Sequence, residues 1–228
     1  MRAESKLWHL EQINIFNDLS EEEIIEIDKR SKMRELEKKS NIYFPKDPSN
    51  VVYLLKSGRV KLTNVDDEGK EIIKTIIYPG EIFGELALAG ENERTDSAIA
   101  LDKDVKICSI SIEEMNEIIE KIPRLAFKIT RVIGERTLEL ERKYSNLISK
   151  NSEERILYFL SDLIKKIGKE IGLEVMVKHN LTQKDIAGLT ATSRQTVNAV
   201  FNDLKRKGVA NFQRDRIIIH EPQLLPKL

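Results

Sequence analysis

The chain of 228 residues has a single cysteine, Cys108, and only three histidines. One thiol cannot form an intramolecular disulfide, a thiolate zinc cluster or a four-cysteine iron–sulfur centre within one chain. His9, His179 and His220 lie outside residues 33–110, so that strand-rich region has no histidine to ligate a haem. The sequence therefore predicts no metal site and no required cofactor.

Long apolar runs are also missing. No segment reaches the roughly 20 apolar residues that a membrane-spanning helix needs, and the first eight residues are too polar and charged for a signal peptide. We therefore expect a cytoplasmic protein with no membrane partner. The sequence has no Walker loop, hydrolase elbow or zinc-protease pattern, and its carboxylates are scattered rather than paired. No catalytic residue is predicted, and we do not expect an enzyme.

The two halves of the chain lack a balance of charge: basic residues are the minority in the first half and acidic residues in the second. Lysine and arginine number 38, as do aspartate and glutamate, so the formal net charge is zero. Residues 1–120 nevertheless carry 17 basic and 26 acidic residues, whereas residues 121–228 carry 21 and 12. The halves therefore have net charges of −9 and +9. A polyanionic partner is expected to bind the C-terminal half.

Residues 33–110 consist of short runs rich in β-branched and aromatic residues. Turns are predicted at Ser57-Gly58 and Pro79-Gly80, because glycine permits positive φ. Many short strands joined by close turns predict a barrel or roll. Helix starts around and beyond this region are marked by a polar N-cap followed three residues later by an acidic residue. These pairs are Ser20 with Glu23, Ser111 with Glu114, Asn151 with Glu154, and Thr182 with Asp185.

A long helix is predicted over residues 125–148, with Pro123 in the first turn, where its missing N–H is harmless. A narrow apolar stripe advances along it by threes and fours, which is typical of a helix-to-helix seam. The residues expected to join two copies of the chain are Ile129, Ile133, Leu140 and Leu147. The N-cap at Asn151 then predicts a hinge near residue 150, and the following helix is expected to end at Gly168 and Gly172.

Two short helices follow. Thr182 is expected to cap the first and Ser193 the second, which is buried through Val197 and Phe201; small Ala187 lets the helices approach closely. This spacing is typical of a helix-turn-helix, whose second helix enters the major groove by its N-terminal end. The side chains predicted to contact DNA are Thr182, Ser193, Arg194, Gln195, Thr196 and Asn198.

The residue types at the start of the second helix suit base recognition. Arg194 can donate two hydrogen bonds to guanine, and Gln195 can pair both ways with adenine. Beyond the basic run at residues 205–207, strands flanking residues 213–216 predict a β-hairpin wing. The alternative is that the helix-turn-helix spacing arises by chance and the basic run is a solvated helix end.

Two motifs together resemble the CRP/FNR family over almost the whole chain. The first spans residues 182–197 and ends in SRQTV, and the second is PGEIFGELAL at residues 79–88, followed by Arg94-Thr95 and Ala98. The resemblance implies an α+β protein with an N-terminal β-roll sensor of the cupin-like, cyclic-nucleotide-binding-like kind. It also implies a long dimerisation helix and a C-terminal winged helix-turn-helix. The corresponding domains are residues 1–120, 121–150 and 151–228.

The second motif has the chemistry of a phosphate cradle. Gly84 leaves room beside the backbone, and the turn after it can present free N–H groups to an anion. The resemblance implies effector contacts from Gly84, Glu85, Leu86, Arg94 and Thr95, with Arg94 on a phosphate and Glu85 on a ribose hydroxyl. The alternative is that this segment only closes the roll, with Arg94 paired to Glu85.

Two departures from the family pattern weigh against cyclic AMP. Counting back from the hinge, Leu140 and Glu141 stand where the catabolite activator's central helix presents hydroxyls to adenine. The segment between Gly84 and Arg94 is also one residue shorter than in that activator. We therefore expect, at most, a small anionic or nucleotide-like effector of unknown identity.

The resulting hypothesis is a homodimeric transcription regulator that binds a palindromic double-stranded DNA site, with RNA polymerase as a partner implied by the resemblance. Two alternatives stay open. The chain is either a ligand-binding module acting through protein partners, or an activator that binds DNA without any effector.

Overall fold

The computed structural model describes residues 13–65, 67, 69, 71–213 and 215–227. The chain divides between Leu138 and Glu139 into two compact units, and this division falls within the longest helix. Each unit has its own sheets and its own buried residues. In the described part of the chain, no helix combines the length and apolarity needed to cross a bilayer.

The N-terminal unit contains two helices, eight strands and the first part of a third helix. The helices are α1 (Glu21–Arg30), α2 (Ile112–Lys121) and α3 (Arg124–Ser149), which continues beyond this unit. The strands are β1 (Lys32–Leu36), β2 (Asn41–Tyr43), β3 (Val51–Ser57), β4 (Val60–Val65), β5 (Glu71–Ile77), β6 (Ile82–Phe83), β7 (Ser97–Ala100) and β8 (Val105–Ser111).

These strands form two antiparallel four-stranded sheets, in the orders β1-β8-β3-β6 and β2-β7-β4-β5. A buried cluster inside the roll includes Tyr43, Tyr53 and Phe83, and the Tyr53 and Phe83 rings stack with centroids 5.0 Å apart. A 3₁₀ turn, Glu85–Ala89, follows β6 directly and is preceded by Gly84 with a φ of +72°. The predicted β-roll is confirmed.

A second cluster lies where the helices pack on the first sheet. It contains Leu125 and Ile129 from the start of α3, and Ile129 is only 4% exposed. Ile129 therefore stabilises the core of its own unit, so its prediction as a dimer-seam residue is wrong. Further along α3, Leu140 and Leu147 are 68% and 50% exposed.

The C-terminal unit contains the end of α3 and three further helices on a four-stranded antiparallel sheet in the order β11-β12-β10-β9. The helices are α4 (Ser152–Ile167), α5 (Gln183–Leu189) and α6 (Arg194–Arg206), and the strands are β9 (Gly168–Ile171), β10 (Glu174–Lys178), β11 (Ala210–Phe212) and β12 (Arg216–Ile219). Helix α4 ends at Ile167, so Gly172 does not end it. Gly172 instead has a φ of +63° in the turn between β9 and β10.

The predicted helix starts are confirmed by reciprocal capping. At the start of α1, the hydroxyl of the N-cap residue Ser20 accepts a hydrogen bond from the Glu23 N–H, and the Glu23 carboxylate accepts one from the Ser20 N–H. The same box begins three other helices, with the pairs Ser111 and Glu114, Asn151 and Glu154, and Thr182 and Asp185. Each box satisfies backbone donors that a helix start leaves unpaired.

Candidate DNA-reading surface and effector cradle

The helix-turn-helix is built from α5, the turn at residues 190–193, and α6. Ile186, Ala187 and Val197 are buried where the two helices pack. The turn requires a left-handed residue, and Ala191 has a φ of +49°. The Ser193 hydroxyl accepts a hydrogen bond from the Thr196 N–H and so begins α6.

Arg155 from α4 holds this turn in place. Its Nε donates to the Thr190 carbonyl at 2.9 Å, and Nη2 donates to the Ala191 carbonyl at 2.8 Å. Its Nη1 donates to the Lys150 carbonyl at 2.8 Å, at the end of α3. One guanidinium therefore connects the hinge before α4 to the turn of the helix-turn-helix. The sequence predicted the hinge but not this role of Arg155.

The residues predicted to contact DNA fall into two groups. Arg194, Gln195 and Asn198 are exposed at the N-terminal end of α6, as base recognition requires. Thr182 and Ser193 are exposed too, but their hydroxyls cap α5 and α6. The Thr196 hydroxyl lies 2.9 Å from that of Ser193, and the Asn198 side chain accepts from Gln183 at 3.4 Å. Asn202, one turn after Asn198, is a further exposed polar residue that the motif did not single out.

The predicted wing is the hairpin of β11 and β12, in which Ala210 pairs with Ile219 and Phe212 with Ile217. The Phe212 ring stacks on Phe201 of α6, with centroids 3.7 Å apart. This stacking fixes the hairpin against the recognition helix. Arg214, at the predicted wing tip, lies outside the described residues.

The candidate effector site surrounds Arg94, whose side chain is almost fully buried. Its Nη1 donates to the Gly84 carbonyl at 3.1 Å, and its Nη2 donates to the Val51 carbonyl. The guanidinium carbon lies 4.7 Å from the centroid of the Tyr43 ring. A Cβ at Gly84 would lie 3.0 Å from Arg94 Nη1, so glycine is needed for this approach as well as for its φ.

Arg94 does not pair with Glu85. Its acidic neighbour is Glu91, whose Oε2 lies 3.4 Å from Nη1. Glu85, which is 5% exposed, instead pairs with Arg136 of α3, and Arg136 also donates to the Ile82 carbonyl. The alternative in which Arg94 pairs with Glu85 is therefore wrong. Arg136 lies 51 residues from Glu85 in sequence, and no local pattern predicted the contact.

The rim of the cradle contains a further ion pair. Lys74 donates to Asp96 at 3.0 Å and lies 3.5 Å from the exposed Thr95 hydroxyl. The Tyr43 hydroxyl donates to Asp96 at 3.2 Å. Burial raises the pKa of Tyr43 well above its ordinary value, and the nearby Asp96 carboxylate raises it further. Tyr43 is therefore a neutral hydrogen-bond donor throughout the physiological pH range.

Leu86, in the 3₁₀ turn after Gly84, is 46% exposed.

Gly84, Glu85 and Arg94 thus meet in one buried cradle, with Thr95 and Leu86 at its more exposed edge. The Nε of Arg94 is buried and has no hydrogen-bond partner within the described part of the chain. A buried donor without a partner is costly, which suits a group that an added ligand can satisfy. Chemically the cradle can hold a phosphate or carboxylate.

The exposed apolar face of α3 is the third candidate surface. Ile133, Leu140 and Leu147 recur at seven-residue intervals, with Tyr144 between the last two. Leu140, Tyr144 and Leu147 are each at least half exposed, whereas Ile133 packs partly against the roll. A seven-residue apolar repeat on an exposed helix is typical of a coiled-coil seam.

Two family models match the chain in the order that the fold predicts. Residues 33–122 match the cyclic nucleotide-binding domain, and residues 154–228 match the Crp-like helix-turn-helix domain. The chain belongs to the CRP/FNR family of transcription regulators. The predicted family, fold class and function as a DNA-binding transcription regulator are confirmed.

Individual relatives in this family match nearly end to end. The chain is 28% identical to the global nitrogen regulator of Nostoc sp., over 84% of this chain and 86% of that protein. It is 25% identical to the CRP-like cAMP-activated global transcriptional regulator of Mycobacterium tuberculosis, over 96% and 97%. The solved structure of a CooA mutant from Carboxydothermus hydrogenoformans has the same fold, with a TM-score of 0.75, 24% identity and coverage of 93% and 92%.

Proposed function

We propose that this CRP/FNR regulator binds a palindromic DNA site as a homodimer and recruits or blocks RNA polymerase there. The observation that carries the proposal is the exposed N-terminal end of α6, where Arg194, Gln195 and Asn198 project from a helix whose other face is buried. In a helix-turn-helix, these positions contact base edges in the major groove. The positive net charge of residues 121–228 supports the same partner.

The proposal of a homodimer is based on the exposed apolar seam of α3. Leu140, Tyr144 and Leu147 expose large apolar surfaces that a second copy of the same helix can cover. Such an interface is isologous, so the two α6 helices are related by a twofold axis and suit a palindrome with half-sites about one helical turn apart. Ile133 extends this seam, and Ile129 does not belong to it.

We also propose a small anionic effector in the cradle around Arg94. The unsatisfied Nε of Arg94 and the positive φ of Gly84 support a ligand there. The pair between Glu85 and Arg136 connects the cradle to α3, so a ligand that competes for Glu85 alters a contact of that helix. Leu140 and Glu141 carry no hydroxyl to adenine, so cyclic AMP remains the less favoured member of this ligand class.

The experiment is a mobility-shift assay with a palindrome selected from random DNA. Arg194→Ala is expected to cost about 1 to 3 kcal/mol of discrimination at one base position, because it removes a bidentate contact. The matched control is Lys184→Ala, at an exposed position near the start of α5, which is expected to weaken binding to all sequences equally and to lower the salt dependence by about one counterion. Unchanged base preference in Arg194→Ala would contradict direct recognition by this residue.

A further inference from the structure

The loop between the 3₁₀ turn and β7 places a carboxylate of the chain itself inside the effector cradle. Ser49 Oγ donates to Glu91 Oε2 at 2.7 Å, and Thr95 Oγ1 donates to Oε1 at 3.3 Å. Arg94 Nη1 lies 3.4 Å from Oε2. The Glu91 side chain is only 16% exposed. It therefore bonds to Arg94 and Thr95, two of the side chains that an anionic effector needs.

The charges of the cradle are already balanced. Each basic side chain that contacts it has an acidic partner on the same chain: Arg94 with Glu91, Arg136 with Glu85, and Lys74 with Asp96. An entering phosphate therefore meets no cation of this group without a competing carboxylate. Like charges a few ångströms apart in a partly buried site repel strongly, so a phosphate on Arg94, whether at Nη1 or at the unsatisfied Nε, competes with the Glu91 carboxylate.

The position of Arg94 does not depend on Glu91. The guanidinium is also anchored by the carbonyls of Gly84 and Val51 and by the ring of Tyr43. Glu91 can therefore leave while Arg94 keeps its place, and the departing carboxylate stands next to solvent at the edge of the cradle. An exchange of one anion for another at a fixed guanidinium needs only a movement of the loop around Glu91.

We propose that Glu91 is a displaceable internal ligand that competes with the phosphate group of an effector and so determines which anions the cradle accepts. This inference rests on the proposed effector function of the cradle. Without effector, Glu91 fills the anion position. An effector binds only when its remaining contacts offset the loss of the Glu91 hydrogen bonds and ion pair, so a bare anion binds poorly to the wild-type protein.

The test is calorimetry on the full-length protein with three probes: inorganic phosphate, cyclic AMP and cyclic GMP. Glu91→Gln keeps the shape of the side chain and removes its charge, so it is expected to raise the affinity for at least one probe by about tenfold or more. The matched control is Glu93→Gln, which removes the same charge from an exposed position in the same loop and is expected to behave as wild type. Ser49→Ala loosens Glu91 without removing its charge and is expected to give a smaller gain.

The outcomes separate the two proposals. If Glu91→Gln binds a probe more tightly than wild type, and this gain in affinity disappears in the double variant with Arg94→Lys, the inference is supported. A gain in affinity for inorganic phosphate indicates a general anion site. A gain for cyclic nucleotides alone indicates that the nucleoside contributes to binding. Equal, measurable affinity in wild type and Glu91→Gln overturns the role of Glu91 and leaves the effector site standing. Absence of binding by every variant to all three probes overturns both.

Discussion

The two sites of this regulator differ in what their charged side chains do before any partner binds. In the roll, Arg94 is 3% exposed and its terminal nitrogens contact two carbonyls and the Glu91 carboxylate. On α6, Arg194 and Gln195 are exposed. The roll therefore uses its arginine first for stability, and a ligand must compete for it. The helix-turn-helix keeps its arginine available, because DNA supplies the anion and the base edges.

The largest effect that tests this comparison is on stability. Arg94→Leu is expected to lower the free energy of unfolding by about 3 to 5 kcal/mol, because it removes the guanidinium that pairs with Glu91 and donates to the carbonyls of Gly84 and Val51. Arg194→Leu, the same change at an exposed site, is expected to stay within about 0.5 kcal/mol of wild type. Urea denaturation of both variants measures the difference, and equal losses would remove the contrast between the two arginines.

A smaller but still large effect is expected at the seam of α3. Leu140→Glu places a charge in the apolar contact between two copies and is expected to weaken the dimer by about 3 kcal/mol, or about a hundredfold in dissociation constant. Sedimentation equilibrium measures it. The control is Leu173→Glu in the turn between β9 and β10, where the residue is 93% exposed and off the seam. If both variants dimerise as wild type does, the seam lies elsewhere.

The C-terminal unit also contains a paired carboxylate that sharpens the comparison. Burial alone would raise the pKa of Glu139, but the ammonium groups of Lys143 and Lys166 outweigh it and lower the pKa to about 2. Because the folded-state pKa is below the ordinary 4.5, the contribution to stability is complete above pH 4.5 and is lost as the pH falls towards 2.

Glu139→Gln is therefore expected to reduce the loss of stability between pH 4.5 and pH 2 by about 2 kcal/mol, after allowance for partial exposure. Urea denaturation at several pH values measures this slope. The pKa of Asp203 is lowered by hydrogen bonds from Lys207 and Arg206, but these two partners are 60% and 80% exposed. Solvent therefore screens both pairs, and Asp203→Asn is expected to leave the slope nearly unchanged. A slope in Glu139→Gln that matches wild type would show that this network does not couple protonation to folding.

The differences between the sites also explain what the sequence could predict. Capping boxes, turns and the helix-turn-helix depend on residues within a few positions of one another, so Thr182, Ser193 and Arg194 could be placed from the sequence. Charge pairs in the roll depend on contacts between distant segments: Glu85 with Arg136, and Ser49 with Glu91. No local pattern encodes these contacts, and the alternative that paired Arg94 with Glu85 was wrong for that reason.

The seam of α3 and the strand pair of β9 and β10 show the same limit of local sequence patterns. A helical stripe shows which residues are apolar but not which neighbour covers each of them, so Ile129 was assigned to a second copy although the roll buries it. Gly168 and Gly172 marked a break after α4, but pairing of β9 with β10 depends on hydrogen bonds between two short segments of ordinary composition. Periodicity therefore predicted the helices but not strand β9, and it identified the packing partners only in part.

The smallest predicted effect separates capping from DNA contact within the helix-turn-helix. Ser193→Ala removes the hydroxyl that accepts from the Thr196 N–H and is expected to lower the free energy of unfolding by about 1 kcal/mol. Ser193→Asn supplies another capping oxygen and is expected to restore stability. If affinity for the palindrome follows stability in both variants, Ser193 acts through the start of α6. A loss of affinity in Ser193→Asn at restored stability would instead mean that the serine hydroxyl itself contacts DNA, as the sequence predicted.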